Sequence, residues 1–341
     1  MPPRIPKWRG DIPRAILGRV KLGWKVLDAL ASASVIGSFG KTGYAIRRHL
    51  FTDPDLDVDL SGRTIVLSGA STGLGKSAAQ SLAQRGATLV LVARDPARLE
   101  RALDDVRACA SRPERVTAER ADLSELGEVR RLAQRLASSH PKIHVLVHNA
   151  GVLPLERQLT SEGLDAAFVT NVLAGFLLTH ELTGALGAAA GGRVVHVTSG
   201  GMYLKRLELE ELEGRRAPYD GVAVYAQSKR AQVILSELWA ARLEPLGITS
   251  NTVHPGWAET PGVERSLPRF HQRLRGVLRS PEQGADTITW LAASPEVEGV
   301  SGRLFFDRAE RATHVVPWTR SNDAERAALW ARCCELTGVS P

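Results

Sequence analysis

The chain has 341 residues but only three cysteines, Cys109, Cys333 and Cys334, an odd count with two of them adjacent. This suits reduced thiols better than a disulfide framework and fits an intracellular compartment, cytoplasmic or at the periphery of a membrane. No uninterrupted apolar run reaches the roughly 18 residues that a membrane-crossing helix needs. The best candidate, Leu22 to Phe39, is interrupted by Lys25 and Asp28. Met1 to Asp11 leads into basic residues and not into an apolar stretch, so a cleavable signal peptide is not expected. Internal repeats and low-complexity tracts are missing as well. The basic N-terminal run lacks the interleaved aromatics of a nucleic-acid binder, and no base-reading module is visible, which sets nucleic acid aside as a partner.

What is present is ordinary globular material, 43% hydrophobic and 24% charged, enough for one large α/β domain with a substantial core or for two small domains. The net charge of +7 is concentrated: residues 1–50 hold ten Lys or Arg against Asp11 and Asp28, so everything from Phe51 onward sums to about −1. In that first segment Ile16, Val20, Gly23, Leu27 and Leu30 recur at steps of four and three, while Arg14, Lys21 and Lys25 fall on the other side. The spacing predicts a basic amphipathic helix. Residues 10–50 are therefore a candidate for peripheral contact with an anionic membrane, and the same stripe could instead dock on the protein's own body or on a partner. Residues 51–61, with Asp53, Asp55, Asp57 and Asp59 alternating, read as a solvated acidic linker. Their period of two spreads the carboxylates too far apart for a metal.

From residue 62 to 341 short β-branched runs alternate with longer stretches of helical period. Thr64 to Ser68, Thr88 to Ala93, Val116 to Ala118, His144 to His148, Val194 to Thr198 and Thr249 to His254 read as strands, each followed by a stretch of helical period. A last strand is expected at Arg303 to Asp307. Such alternation predicts a three-layer, doubly wound parallel sheet of the Rossmann kind in a single domain. A terminal helix should start at Asn322, with Glu325 three residues on, and stop at Gly338.

Directly after the first strand comes Ser68-Gly69-Ala70-Ser71-Thr72-Gly73-Leu74-Gly75, the arrangement that brings backbone N–H groups and a helix N-terminus against a pyrophosphate. The second strand ends Ala93-Arg94, with no acid at its tip for the ribose hydroxyls. A guanidinium there suits a 2′-phosphate, which favours NADP(H) over NAD(H), unless Arg94 is a solvated loop residue paired with Asp95. Farther on, Tyr225 and Lys229 stand four apart on a predicted helix and share one face. Ser199 follows an apolar strand, and Asn171 lies early in a predicted helix.

Taken together, these motifs resemble the short-chain dehydrogenase/reductase family from about Leu60 to the C-terminus. The resemblance rests on the glycine loop, Asp122-Leu123, Asn149-Ala150-Gly151, Asn171, Ser199, Tyr225 with Lys229, and Pro255-Gly256. Within that family, Ser199-Gly200-Gly201-Met202 and His254-Pro255-Gly256-Trp257-Ala258-Glu259-Thr260 are similar to the dehydrogenase/reductase member 12 group. Ser68 and His148 depart from the family's usual Thr and Asn; the hydroxyl is kept, and His148 reads as structural.

The resemblance implies a carbonyl–alcohol oxidoreductase with a small-molecule substrate, and assembly as a homo-oligomer stays open. It implies that Ser199 holds the substrate oxygen, that Tyr225 exchanges a proton with it, and that Asn171 holds a water leading from Lys229 to solvent. It further implies that Asp122 and Leu123 face the adenine and that Thr260 contacts the nicotinamide carboxamide. Lys229 at about 4 Å would give a phenolate about 4 kcal/mol of attraction at an effective dielectric near 20, enough to draw the phenol toward neutrality. Trp257 to Ser280 should cover the substrate, with Trp257, Leu267, Phe270, Leu274, Val277 and Leu278 inward and Arg265, Arg269, Arg273, Arg275 and Arg279 on the rim. That suits a hydrophobic or lipid-like substrate, although the arginines could equally be one solvated helix face. A coenzyme-binding scaffold without turnover is the alternative, and it would need none of Asn171, Ser199, Tyr225 and Lys229.

Overall fold

The β-branched runs do become strands, because side chains buried on both faces of a sheet leave no polar alternation to keep. The computed structural model of the protein describes residues 23–31 and 34–340. Eight strands form one sheet in the order β3-β2-β1-β4-β5-β6-β7-β8. They are β1 (Thr64–Ser68), β2 (Thr88–Ala93), β3 (Val116–Arg120), β4 (Val145–His148), β5 (Arg193–Val197), β6 (Thr249–Val253), β7 (Leu304–Phe306) and β8 (Ala309–Arg311). All neighbours are parallel except β7 and β8. The last of these was not foreseen: three residues returning after a tight turn at Asp307 and Arg308, both with positive φ, carry almost no pattern. Strands β4 to β7 differ from the expected spans by a residue or so at their ends.

Helices cover both faces and bury two separate cores. On one face Gly73–Gln84, Pro96–Cys109 and Pro281–Ala293 close over Ile65, Leu67, Leu89 and Leu91. On the other, Leu126–Ser139, Gly221–Leu243 and Asp323–Thr337 pack over Val66, Val90, Leu146 and Val194, with Phe176, Trp239 and Trp330 in mutual ring contact. Alternate residues of one strand thus serve opposite cores, as the pleat requires. The terminal helix is capped as expected, by an Asn322–Glu325 capping box and by Gly338 at φ +64°.

Strand order reverses between β1 and β4, which opens a crevice at their carboxyl ends. Asn149 seals its floor: Nδ2 donates to the carbonyls of Ser68 and Gly69, each at 3.0 Å. The Ser68 hydroxyl accepts from the amides of Asn149 and Ala150 at 3.1 Å, so serine performs the task a threonine would. His148 is buried with Nε2 2.8 Å from the Thr179 hydroxyl, and burial lowers it to about 3, so the neutral ring is a packing element as expected.

The N-terminal region divides. Ile16 and Val20 of the apolar stripe lie outside the described residues, whereas Leu27 and Leu30 are exposed on the helical residues 23–31. The short helices Val35–Phe39 and Lys41–Arg48 lie against the body, where Lys41 N donates to Val277 O and Trp257 N to Phe39 O, both at 2.9 Å. The acidic stretch is only half as expected. The side chains of Asp55, Asp57 and Asp59 are exposed, but Leu56 and Leu60 are buried, and Arg85 donates to the carbonyls of Asp55 and Leu56 at 2.6 and 2.8 Å. Among the described residues no group of His, Cys, Asp and Glu could hold a metal, and no helix is long and apolar enough to cross a membrane.

Candidate active site

The glycine loop is built for a group that must approach the backbone closely. Gly69 and Gly73 take φ +67° and +54°, which side-chain-bearing residues rarely adopt. At Gly75 a Cβ would lie 2.2 Å from the Gly69 carbonyl and 2.4 Å from Asn149 Nδ2. The helix Gly73–Gln84 starts at Thr72, whose side chain makes no capping hydrogen bond, so the first-turn amides stay available to an anion. These features fit a dinucleotide pyrophosphate. Next to them lies a cavity of about 460 Å³ between the loop, the helix Pro96–Cys109 and the helix Pro261–Ser266, lined by Ser71, Thr72, Lys76, Arg98, Arg101 and Arg265 among others.

At the ribose end, Arg94 is exposed and pairs with Asp122 at 3.5 Å, not with Asp95. Asp95 is otherwise engaged: it caps the helix Pro96–Cys109 by accepting from Arg98 N at 2.9 Å. Arg98 and Arg101, which line the cavity, escaped sequence reasoning. The signal was there, because an N-cap at Asp95 followed by Pro96 puts both arginines three apart on one face. Asp122 Oδ1 accepts from the Ser124 amide and hydroxyl at 3.0 and 2.7 Å, and Leu123 is buried beside it. Thr260 caps the helix Pro261–Ser266 and sits over the loop, its methyl 3.2 Å from where a Gly73 Cβ would be.

The helix Gly221–Leu243 carries the chemistry-bearing residues in its first turns. Asp220 starts it, accepting from the amides of Val222 and Ala223. Ser199, at the end of β5, begins the turn Gly200–Leu204, and Gly201 lies against Ala226, which fixes the turn to the helix. Ser199 lies beside the Tyr225 phenol, close enough to lower it against the rise that burial causes. Lys229 is buried, with Nζ donating to Val197 O at 3.0 Å and lying 5.3 Å from the centre of the Tyr225 ring.

Asn171 falls in a π-helical turn, Val169–Leu173, and not in the regular helix expected. The wider turn sends its side chain sideways: Oδ1 accepts from Val152 N at 2.8 Å, and Nδ2 donates to Val152 O and to the Ser228 hydroxyl, both at 3.0 Å. Its carbonyl accepts from Gln232 Nε2 at 2.7 Å. Gly151 keeps space between the two polar groups, since a Cβ there would lie 3.3 Å from Lys229 Nζ and 3.6 Å from Asn171 Oδ1. Thus Asn171, Ser199, Tyr225 and Lys229 share one site, next to the glycine cradle.

One electrostatic expectation fails. Burial pushes the Tyr225 phenol above its ordinary range, only partly offset by Ser199, and lowers Lys229 from 10.5 to about 7. Both groups are desolvated, so each favours its neutral form, and the resting state of the phenol is governed by burial and not by the cation. The expected basic rim also needs correction. Arg265, Arg269, Arg273 and Arg275 are exposed, but Arg279 is 1% exposed and belongs to the interior.

A family model described as short chain dehydrogenase matches residues 63–269. The chain is 38% identical over 291 residues to the human dehydrogenase/reductase SDR family member 12, covering 85% of this chain and 90% of that one. It is 33% identical over 291 residues to mouse retinol dehydrogenase 13, covering 82% and 85%. A short chain dehydrogenase from Burkholderia cenocepacia J2315, solved in complex with NADP, superposes with a TM-score of 0.59 at 26% identity over 72% of this chain and 96% of that one. With the fold, the glycine cradle and the shared site in agreement, the chain belongs to the short-chain dehydrogenase family and is an NAD(P)-dependent oxidoreductase acting between carbonyls and alcohols.

Proposed function

We propose that the protein reduces an apolar, lipid-like ketone or aldehyde with NADPH, using Tyr225 as the general acid. The observation that carries this reading is the meeting of Ser199 and Tyr225 with a buried Lys229, whose Nζ lies 5.3 Å from the centre of the Tyr225 ring. When bound, the coenzyme supplies the hydride that becomes the new C–H bond. Ser199 donates a hydrogen bond to the substrate oxygen, and Tyr225 delivers its phenolic proton to that oxygen as the charge develops. A phenol held above its ordinary range enters the reaction protonated, which is the form that reduction consumes. Lys229 then stabilises the phenolate and returns its proton, with the gap kept by Gly151 as the place for a water between Lys229 and Asn171. Asn171 holds Val152 and Ser228 in place through its side chain.

Preference for NADPH is supported by the guanidinium of Arg94 at the tip of β2, with Arg98 and Arg101 on the adjacent helix face. An apolar substrate is supported by Val152, Leu155, Leu159, Leu204 and Val222, all exposed on segments that follow β4 and β5 or open the Tyr225 helix. The name of the retinol dehydrogenase relative points the same way. Tyr225→Phe should leave NADPH binding unchanged and lower turnover by at least about a hundredfold; undiminished reduction would refute the role.

A second reading concerns place. Val26, Leu27, Leu30 and Ile36 are exposed beside Lys25, which favours peripheral contact with an anionic membrane over a soluble scaffold. Flotation with phosphatidylserine vesicles should fall in Leu27→Glu/Leu30→Glu; equal flotation of both proteins would remove the reading.

A further inference from the structure

Three charged side chains far apart in sequence meet in the interior next to the turn Pro255–Gly256. Arg279 reaches both oxygens of Asp307, at 2.5 and 2.8 Å, and Arg47 of the N-terminal segment reaches the same carboxylate at 2.6 Å. Arg279 is 1%, Arg47 2% and Asp307 3% exposed. Arg47 also donates to Asp28 at 2.7 Å and to the carbonyl and hydroxyl of Ser38 at 2.9 Å. The remaining donors of Arg279 go to the carbonyls of Phe39 at 2.9 Å, Gly40, Ser38 and Pro255 at 3.3 Å. Both guanidinium groups also lie 4.8 Å from the centre of the Phe306 ring.

The turn is shaped to this cluster. Gly256 has φ +78°, and a Cβ there would lie 2.4 Å from the Arg279 guanidinium carbon. Arg279 therefore touches Pro255–Gly256 on one side and the chain at Ser38–Gly40 on the other. Phe39 completes the connection: its ring stands edge-on to His254 at 4.6 Å and to Trp257 at 5.7 Å, and a Cβ on Gly200, the residue after Ser199, would lie 3.1 Å from it. Buried ion pairs are a weak source of stability, since desolvation offsets their attraction, and a cluster of this kind is better suited to fixing one arrangement.

We propose that the segment Ser34–Arg48 is a positioning element of the active site, and that Arg47, Asp307 and Arg279 clamp the turn Pro255–Gly256 and the substrate-covering stretch behind it. The clamp rests on the functional reading above, together with the Thr260 contact to the nicotinamide that the family resemblance implies. Arg47, Asp307, Arg279 and Phe39 are positioning residues.

The test uses full-length protein saturated with NADPH, with bound coenzyme titrated by its fluorescence so that rates are expressed per coenzyme site. Arg47→Ala should lose about tenfold or more in kcat, while NADPH affinity changes by less than about threefold, because displacement of one wall by a fraction of an ångström disturbs the reacting geometry and not the phosphate cradle. Arg47→Lys should recover part of that loss. Amide hydrogen exchange should quicken in residues 255–280 of Arg47→Ala and stay unchanged in residues 69–75. Unchanged kcat per site, or equal exchange in residues 255–280, overturns the clamp. If Arg47→Ala yields no coenzyme sites, Phe39→Ala, which retains every charge, is held to the same two measurements. A wild-type protein that reduces no carbonyl would sink the functional reading instead, and hydrogen exchange alone would then decide the clamp.

Discussion

Replacing Lys229 by methionine should make the coenzyme-free protein more stable while abolishing most of its turnover. Lys229 is lowered from 10.5 to about 7 by burial, a shift of about 3.5 units, and each unit corresponds to about 1.36 kcal/mol. Below about pH 7 the fold therefore carries a cost of about 5 kcal/mol for burying the ammonium. The sign follows from proton counts. Between about pH 7 and 10.5 the unfolded chain binds more protons at this lysine than the folded one, so this contribution to stability rises with pH across that window. Methionine has similar length and no charge, so it removes the cost. It also leaves Val197 O without the hydrogen bond it accepts from Nζ at 3.0 Å, a loss of about 1–3 kcal/mol at any pH. The net gain is a few kcal/mol near pH 6 and shrinks steadily as pH rises toward 9. Urea unfolding of both proteins at the two pH values measures it, and every other titrating group cancels in the difference. A stability difference that is flat from about pH 6 to 9 would refute the reasoning, because the lysine would not then be desolvated.

Two further outcomes follow from the coenzyme half. Gly75→Ala should weaken NADPH binding by at least about tenfold and lower the melting temperature by several degrees, since its Cβ would meet the Gly69 carbonyl at 2.2 Å; isothermal titration and thermal melts check both, and wild-type affinity would show that the loop is not the cradle. Arg94→Ala should raise the Kd for NADPH by about tenfold and leave NADH unchanged. Equal weakening of both coenzymes would remove the 2′-phosphate role.

The site was more legible in the sequence than its surroundings. The glycine loop, Ser199, Tyr225 and Lys229 sit at strand ends or one helical turn apart, where local periodicity alone determines which way a side chain faces. Asn171 was placed correctly but its π turn was not, because one extra residue in a helical turn leaves no mark in the pattern of apolar side chains. Arg279 was misjudged and Arg47 was not singled out, for a deeper reason. A buried arginine is identified by its partner, and Asp307 is 260 residues from one and 28 from the other. Runs of arginine read as solvated faces until the third dimension brings a carboxylate to one of them. The electrostatics of Tyr225 failed likewise: spacing gives the distance to Lys229, but desolvation depends on everything packed around both.

In the proposed reaction hydride passes from the coenzyme to a carbonyl carbon beside Tyr225. Incubating the protein with an apolar ketone and NADPH carrying deuterium at nicotinamide C4 tests it most directly, with the product alcohol read by mass spectrometry. The account predicts one deuterium on the carbinol carbon from one face of the nicotinamide, and none from heavy water when the coenzyme is unlabelled. Alcohol formed without transfer of label, or carbon-bound deuterium taken from solvent, would contradict it.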